Sequence, residues 1–301
     1  MKRALILINA YMRIDSYLYQ TRRLREELAL LGVEADVVPN AVCSAVLSRD
    51  GAVCGASFAD YDFCIYLDKD KYLSYLLEKT GLRLFNSAKA VELCDDKMTT
   101  AVALAGEGVP MPRTVAGLLC FDAAAEIPLS LYERVEQELG YPFVFKTSYG
   151  SLGKGVSLVH DREEFAALET KYKCTPHLYQ EFVAASSGKD VRVLVIGGAV
   201  ACAMERRSAG DFRSNLELGG TAKPYDVPPR LATLCVKIAD ALGLDYCGID
   251  LLEDGEKYLL CEVNSNAFFG GMERTTGVNV ARAYAEYICR TVYGDIPRRG
   301  A

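Results

Sequence analysis

Lys146 ends an apolar run, FVFKTS, and a loop with Gly150, Gly153 and Gly155 separates it from a second run, GVSLV. Glycines let a backbone approach an anion closely and turn its N–H groups toward it. The lysine adds a full positive charge at the base of the loop. Residues 143–159 therefore read either as a phosphate cradle or as a glycine-rich hairpin turn with an incidental lysine. They are not a P-loop, because the GxxxxGK signature is absent and a strand, not a helix, follows. Further along, CEVNSN (261–266) alternates so that Glu262 and Asn264 point to one face of a strand. A carboxylate beside an amide oxygen suits a hard cation such as Mg²⁺; the plainer reading is a solvated edge carboxylate. Asp250 sits in the apolar strand CGIDLL, where an unpaired charge is expensive and a metal or a basic partner would relieve it. Asp250 and Glu262 share a face of the hairpin only in an even pairing register. A two-residue Asp254-Gly255 loop gives an odd one, so the metal reading predicts a three-residue loop with a glycine bulge at Gly255. ERRSAGDFRSNLELGG (205–220) supplies three arginines, whose forks recognise phosphate and carboxylate, or else forms a solvated charged loop. QEFV (180–183), followed by Asp190 and Arg192, says only strand, loop, strand.

These residues must be held by definite elements. ALILI (4–8), VEADVV (33–38) and DFCIYL (62–67) read as strands. Between them lies a helix capped by Ser16, carrying Leu24, Leu28 and Leu31 and stopped by Gly32; another helix, YLSYLLEKTG, ends at Gly81. Strands alternating with helices predict a small parallel α/β lobe over residues 1–85. No GxGxxG follows its first strand, which argues against a dinucleotide site there. Ser87 then opens one helix through AKAVELCDDKMTTAVALAGEG, ended at Gly108-Val109-Pro110-Met111-Pro112. Strands follow in expected pairs, 142–148 with 155–160 and 177–183 with 191–198. A helix at 229–242 precedes the hairpin of YCGIDLL and KYLLCEVN. Closely spaced strands with helices packed on them predict α+β, with boundaries near 85 and 180.

Composition bounds the rest. Half of the 301 residues are hydrophobic, enough for a core shared by two or three lobes. No apolar run reaches about 18 residues, and MKRALILINAYMRIDSY reads as a first strand rather than a signal peptide, so neither membrane attachment nor export is expected. Eleven cysteines at irregular spacing, mostly in apolar stretches, predict reduced buried thiols in a cytoplasmic protein, not disulfides or zinc. The two histidines, His160 and His177, read as strand-edge residues, and a catalytic Cys–His pair is disfavoured. A formal net charge of −6, with no basic cluster interleaved with aromatics, argues against nucleic acid as a partner.

Taken in order, DDKMTTAVALAGEGVPMPRT, FVFKTSYGSLGKGVSLV, LYQEFV, DVRVLVIGG, ERRSAGDFRSNLELGG, LGLDYCGIDLL, LCEVNSN and GMERTTGVNVA resemble the RimK-like ATP-grasp ligases of the α-L-glutamate ligase type, over about residues 90–283. The resemblance implies an α+β, ATP-grasp fold: two α+β subdomains (86–180 and 181–301) sandwich ATP, preceded by a parallel α/β pre-ATP-grasp domain (1–85). It implies that Lys97 and Lys146 hold the α- and β-phosphates, and that Tyr149, Gly150, Ser151, Gly153 and Gly155 form the loop over the β- and γ-phosphates. Gln180, Glu181, Phe182 and Val183 would form the adenine edge and Asp190 a ribose or hinge-side contact. Arg213, Ser214 and Asn215 would complete the nucleotide site, with Arg206 near the transferred phosphate; Arg206 and Arg213 would be the catalytic arginines. Asp250, Glu262 and Asn264 match the family's ligands for Mg²⁺ or Mn²⁺. Asn266, Arg274 and Thr275 would line the substrate pocket, which Phe268 and Phe269 either reshape or leave for the core.

The implied reaction joins a carboxylate acceptor to an amino-acid amine, glutamate or another, at the cost of ATP. The carboxylate attacks the γ-phosphate to give an acylphosphate, and the amine then displaces phosphate. Acceptors in view are a peptide, a protein tail or a small metabolite, and a homo-oligomer is compatible with all of them. Two other readings stand beside it: a non-catalytic nucleotide-binding module, and an ATP-grasp kinase that stops at phosphoryl transfer.

Overall fold

The computed structural model describes residues 2–43, 45–55, 58–150, 153–208, 210–214 and 219–294. The chain opens with β1 (Lys2–Ile8), α1 (Asp15–Leu30), β2 (Val33–Pro39), the short strands β3 (Ala45–Leu47) and β4 (Val53–Gly55), β5 (Phe63–Leu67), α2 (Lys71–Lys79) and β6 (Leu84–Phe85). A parallel sheet forms in the order β2-β1-β5-β6. Ala4 and Ile6 face Tyr17, Leu24 and Leu28 of α1, while Leu5 and Leu7 face Leu73 and Leu77 of α2. Burial on both faces is why the first strand reads as a continuous apolar run rather than an alternating one. α1 starts one residue before Ser16, the expected cap. Ile14 holds the cap position; its aliphatic side chain has no acceptor to offer, and its carbonyl accepts from the N–H groups of Tyr17 and Leu18.

Two helices, α3 (Ala88–Asp95) and α4 (Lys97–Leu104), replace the single helix expected after Ser87. Asp96 makes the break: its backbone is extended and its carboxylate accepts from the N–H groups of Met98 and Thr99. Aspartate competes with a helix interior but suits a cap. The break sets Lys97 in the first turn of α4, with its N–H on the Ser148 carbonyl at 3.0 Å. There follow β7 (Thr114–Ala116), α5 (Leu129–Leu139), β8 (Phe143–Thr147), β9 (Val156–Val159), α6 (Arg162–Tyr172) and β10 (His177–Glu181). The antiparallel sheet β7-β10-β8-β9 turns Phe143, Phe145 and Tyr179 toward Leu131, Val135 and Phe165 of α5 and α6. Val144, Lys146 and Gln180 are left on its other face. β10 is an interior strand of this sheet, and His177 is its first residue, at the strand's end as expected. It is buried, with Nε2 2.9 Å from the Tyr179 hydroxyl, which donates to Glu169 at 2.6 Å.

The remaining elements are β11 (Lys189–Ile196), β12 (Ala199–Arg207), β13 (Thr221–Pro224), α7 (Pro229–Ala241), β14 (Tyr246–Asp254), β15 (Lys257–Asn264), α8 (Gly270–Thr276) and α9 (Val280–Tyr293). They build the antiparallel sheet β13-β12-β11-β14-β15. The expected pairing of β10 with β11 does not occur. A 3-10 turn at Ala184–Ser186 and Gly188 at φ 69° carry the chain from one sheet to the other, and β11 pairs with β12 and β14. Val191, Val193 and Val195 pack on Leu231, Cys235 and Ile238 of α7, so Asp190 and Arg192 lie on the opposite face. α9 returns to the first sheet, where Tyr284 and Ile288 join the core of Ala4 and Ile6. Among the described residues no helix is long and apolar enough to cross a membrane.

Candidate functional site

The hairpin of β14 and β15 turns through Gly255 and Glu256, with Asp254 opposite Lys257. This odd register holds as far as Leu251 opposite Leu260, and unaltered it would turn Glu262 away from Asp250. A β-bulge at Cys261 corrects it: beyond the bulge Asp250 faces Glu262 and Gly248 faces Asn264. The expected three-residue loop is thus replaced by an irregularity within β15. Gly255, at φ 59°, is used for the tight turn itself, where a left-handed residue is required. Asp250, Glu262 and Asn264 share one face of the ribbon.

That face looks into a cavity of about 650 Å³, bounded opposite by Val144, Lys146 and Gln180, within the usual range for small-molecule sites. Lys146 Nζ donates to Gln180 Oε1 at 2.6 Å and stands 3.7 Å from Cys261 Sγ. Gln180 Nε2 in turn donates to Thr114 Oγ1 at 3.0 Å, which fixes the lysine's direction. Lys97 Nζ donates to the Gly150 carbonyl at 3.1 Å and lies 3.7 Å from Glu262. Burial pushes the Lys97 ammonium below the ordinary lysine value, against the pull of Glu262, and the charge of Lys146 adds to the depression. Two lysines on the wall of one cavity, each felt by the other, favour an anion there.

A ladder of charges forms the floor. Arg192 grips Asp250 with a two-pronged fork at 2.6 and 2.6 Å. Arg206 bonds Asp190 through Nε at 2.8 Å and through Nη2, and the same Nη2 lies 3.0 Å from Asp250. Burial alone would raise the Asp250 carboxyl; the two guanidinium groups outweigh it and hold the group below the usual carboxylate range. These contacts bear on a cation's fit. Glu262 and Asn264 fit one through their oxygens: a carboxylate and an amide carbonyl share one cavity wall, the donor set a hard cation takes. Asp250 shares their face, but an arginine fork must release it before it can join them.

The other expected site residues divide. Gly150, Gly153, Glu181, Phe182, Val183, Asp190, Arg206, Arg213, Ser214 and Asn266 all line the cavity. Arg213 is paired with Asp211 at 2.6 Å and donates to the Gly153 carbonyl at 2.8 Å, tying two loops across the mouth. The Glu181 N–H is taken by the Arg113 carbonyl at 2.8 Å. Tyr149 is half-exposed and does not line the cavity. Gly155 is a turn residue at φ 71°, where a Cβ would meet Thr147 Oγ1 at 2.2 Å. Arg274 and Thr275, expected in the substrate pocket, are not on its wall: they belong to the last turns of α8, and Arg274 is exposed. Of the two phenylalanines, Phe268 lines the cavity and Phe269 is fully buried in the core. Ser151 and Asn215 lie outside the described residues. Sequence reasoning missed Arg192, whose place in a strand gives no sign of its partner, and the whole N-terminal end of the cavity, where Asn9, Met12, Tyr17, Leu67 and Asp68 stand.

Comparison with known proteins adds to this geometry. A family model described as RimK-like ATP-grasp domain matches residues 94–288. A β-citrylglutamate synthase B of Danio rerio is 34% identical over 235 residues, covering 77% of this chain and 56% of that protein. The chain thus spans about half the length of that relative. The ribosomal protein bS6–L-glutamate ligase of Salmonella schwarzengrund is 30% identical over 293 residues, covering 93% of this chain and 95% of that one. Among solved structures, a RimK domain ATP-grasp protein from Sphaerobacter thermophilus superposes with a TM-score of 0.71 at 24% identity, over 95% of this chain and 98% of that one.

Proposed function

The chain belongs to the RimK-like ATP-grasp family and has the ATP-grasp fold, and from that premise we propose that it is an ATP-dependent carboxylate–amine ligase. The reading rests above all on one observation: Lys97, Lys146 and the face carrying Glu262 and Asn264 meet in a single cavity. Residues 1–85 are read as the pre-ATP-grasp domain, and 86–180 and 181–301 as the two subdomains that grip the nucleotide. The names of the relatives favour an amino acid as the amine, with glutamate the first choice, and reduced thiols favour a cytoplasmic setting.

A substrate carboxylate and a triphosphate repel each other, so the protein's task is to supply positive charge and alignment rather than a covalent nucleophile. Lys97 and Lys146 would hold the α- and β-phosphates. The loop at 150–155, tethered by Arg213, would cover the β- and γ-phosphates with backbone N–H groups. Residues 180–183 would frame the adenine, with Asp190 and Ser214 beside the sugar and phosphates. Glu262 and Asn264, joined by Asp250 when its fork opens, would hold Mg²⁺ or Mn²⁺. When bound, such a cation withdraws charge from the transferring phosphoryl group. Arg206 would steady the phosphoryl group while the acceptor carboxylate takes it and the amine then replaces it.

A coupled assay for ADP, with candidate carboxylates present and each amino acid added singly, tests the proposal. Release of ADP together with an amide product is expected. Absence of ADP under every condition would make the chain a binding module, and ADP without an amide would make it a kinase.

A further inference from the structure

Part of the cavity wall, with Asn9, Leu67 and Asp68, lies at the carboxyl ends of β1 and β5. There the chain leaves the sheet in opposite senses, since β2 flanks β1 on one side and β5 flanks it on the other. In open parallel sheets this crevice is where ligands sit. Asp68 stands in it directly after β5, on the cavity wall and only 6% exposed. Its Oδ1 accepts from Asn9 Nδ2 at 3.0 Å and from the Lys69 backbone N–H at 2.7 Å. Its Oδ2 accepts from Asn40 Nδ2 at 2.7 Å.

All three of these donors are neutral. Among the described residues no lysine, arginine or histidine forms an ion pair with Asp68; the nearby Lys69 ammonium instead pairs with Asp95 at 2.9 Å. A buried carboxylate is ordinarily matched by a cation. An ionised carboxylate can accept about four hydrogen bonds, so acceptor capacity remains alongside the uncompensated charge. The two asparagines also brace the turn after β1: Asn9 Oδ1 accepts from the Tyr11 N–H at 2.8 Å and Asn40 Oδ1 from the Ala10 N–H at 2.9 Å. That bracing needs an acceptor at position 68, but it does not need a charge. The same cavity wall carries Met12, Leu67 and Phe268, with Tyr17 edge-on to Phe268 at 6.3 Å, beside the polar Asn9 and Lys69.

We infer that Asp68 anchors a protonated amine of the substrate that fills this end of the cavity. The substrate is of the amino-acid type, with its ammonium on Asp68 and an apolar body against Met12, Leu67 and Phe268. A polycarboxylate acceptor without an amine, such as citrate, does not suit this end, because its second carboxylate would meet the charge of Asp68; the glutamate favoured above is the attacking amine, which must be unprotonated, and is not the ligand meant here. The inference rests on the ligase reading, which assigns the other end of the cavity to nucleotide.

The test is calorimetric titration of the full chain in the presence of magnesium and a non-hydrolysable ATP analogue. Leucine, methionine and phenylalanine are each compared with the N-acetylated form, and citrate serves as the polycarboxylate. At least one free amino acid should bind about tenfold or more tightly than its acetylated form, as expected for a charge-assisted hydrogen bond. Asp68→Asn should abolish that preference and leave analogue binding intact. Equal binding of free and acetylated forms, no binding of any free amino acid, or tighter binding of citrate overturns the anchor. If Asp68→Asn does not fold, the matched pairs on the wild type still decide. A chain that binds the analogue but shows no preference loses only the anchor; one that does not bind the analogue loses the ligase reading, and the anchor with it.

Discussion

Single side chains carry the charge balance of the cavity and of the core behind it, and one from each gives a sharp expectation. Glu262 is partly exposed and its ion-pair partner is Lys97 at 3.7 Å, so its removal costs the fold little. Glu262→Ala is expected to lower ADP release by about 10²–10³-fold or more, the usual loss for one preorganised electrostatic group, with the thermal midpoint nearly unchanged. Wild-type ADP release from the variant would count against the cation site. His177 gives a pH expectation away from the site. Burial pushes its imidazole down, but the Glu169 carboxylate and the Thr175 carbonyl outweigh this, and its folded pKa is raised. The stability gained is therefore complete below the unfolded value of about 6.5 and is lost as pH rises through the higher folded value. Urea unfolding at pH 6 and pH 9 should show a fall in stability that is absent from His177→Gln; parallel behaviour of the two proteins would refute it.

At the scale of elements, the hairpin of β8 and β9 depends on a turn that only glycine makes without strain. Gly155→Ala places a Cβ 2.2 Å from Thr147 Oγ1 on a backbone at φ 71°, a conformation that costs a non-glycine residue about 1–3 kcal/mol. The variant should lose stability by that order in urea titrations and should show a raised KM for ATP; an unchanged KM would separate the turn from the phosphate loop. Much at this scale was legible in the sequence. The parallel lobe followed from apolar runs alternating with amphipathic helices, and the glycine loop from its composition. What was not legible has definite causes. Two apolar runs such as 177–183 and 191–198 look alike whether they pair with each other or enter different sheets. Asp96 breaks a helix only because a cap is formed there. The bulge at Cys261 leaves no mark in composition, although it brings Glu262 opposite Asp250. Arg192 reads as an ordinary strand residue until its neighbour across the ladder is known, and neutral residues such as Asn9 announce nothing until a cavity surrounds them.

At the scale of the molecule, Asn86 fastens the first lobe to the third sheet. Its Nδ2 donates to the carbonyls of Tyr246 at 2.8 Å and Ser265 at 2.7 Å, and its Oδ1 accepts from the N–H groups of Asp245 at 2.7 Å and Tyr246 at 3.0 Å. Asn86→Ala strands these buried groups, each worth about 1–3 kcal/mol when left unpaired. A loss of several kcal/mol is expected, read as a lower denaturant midpoint; a loss below about 1 kcal/mol would mean that water replaces the amide. The return of α9 to the first sheet has a different kind of consequence. Residues 280–293 cover the same apolar face as α1, so on a ribosome the part of that face beside α1 stays open until more than 270 further residues have followed the first strand. A nascent chain halted before Val280 would expose the flank of its first lobe and invite chaperones or self-association.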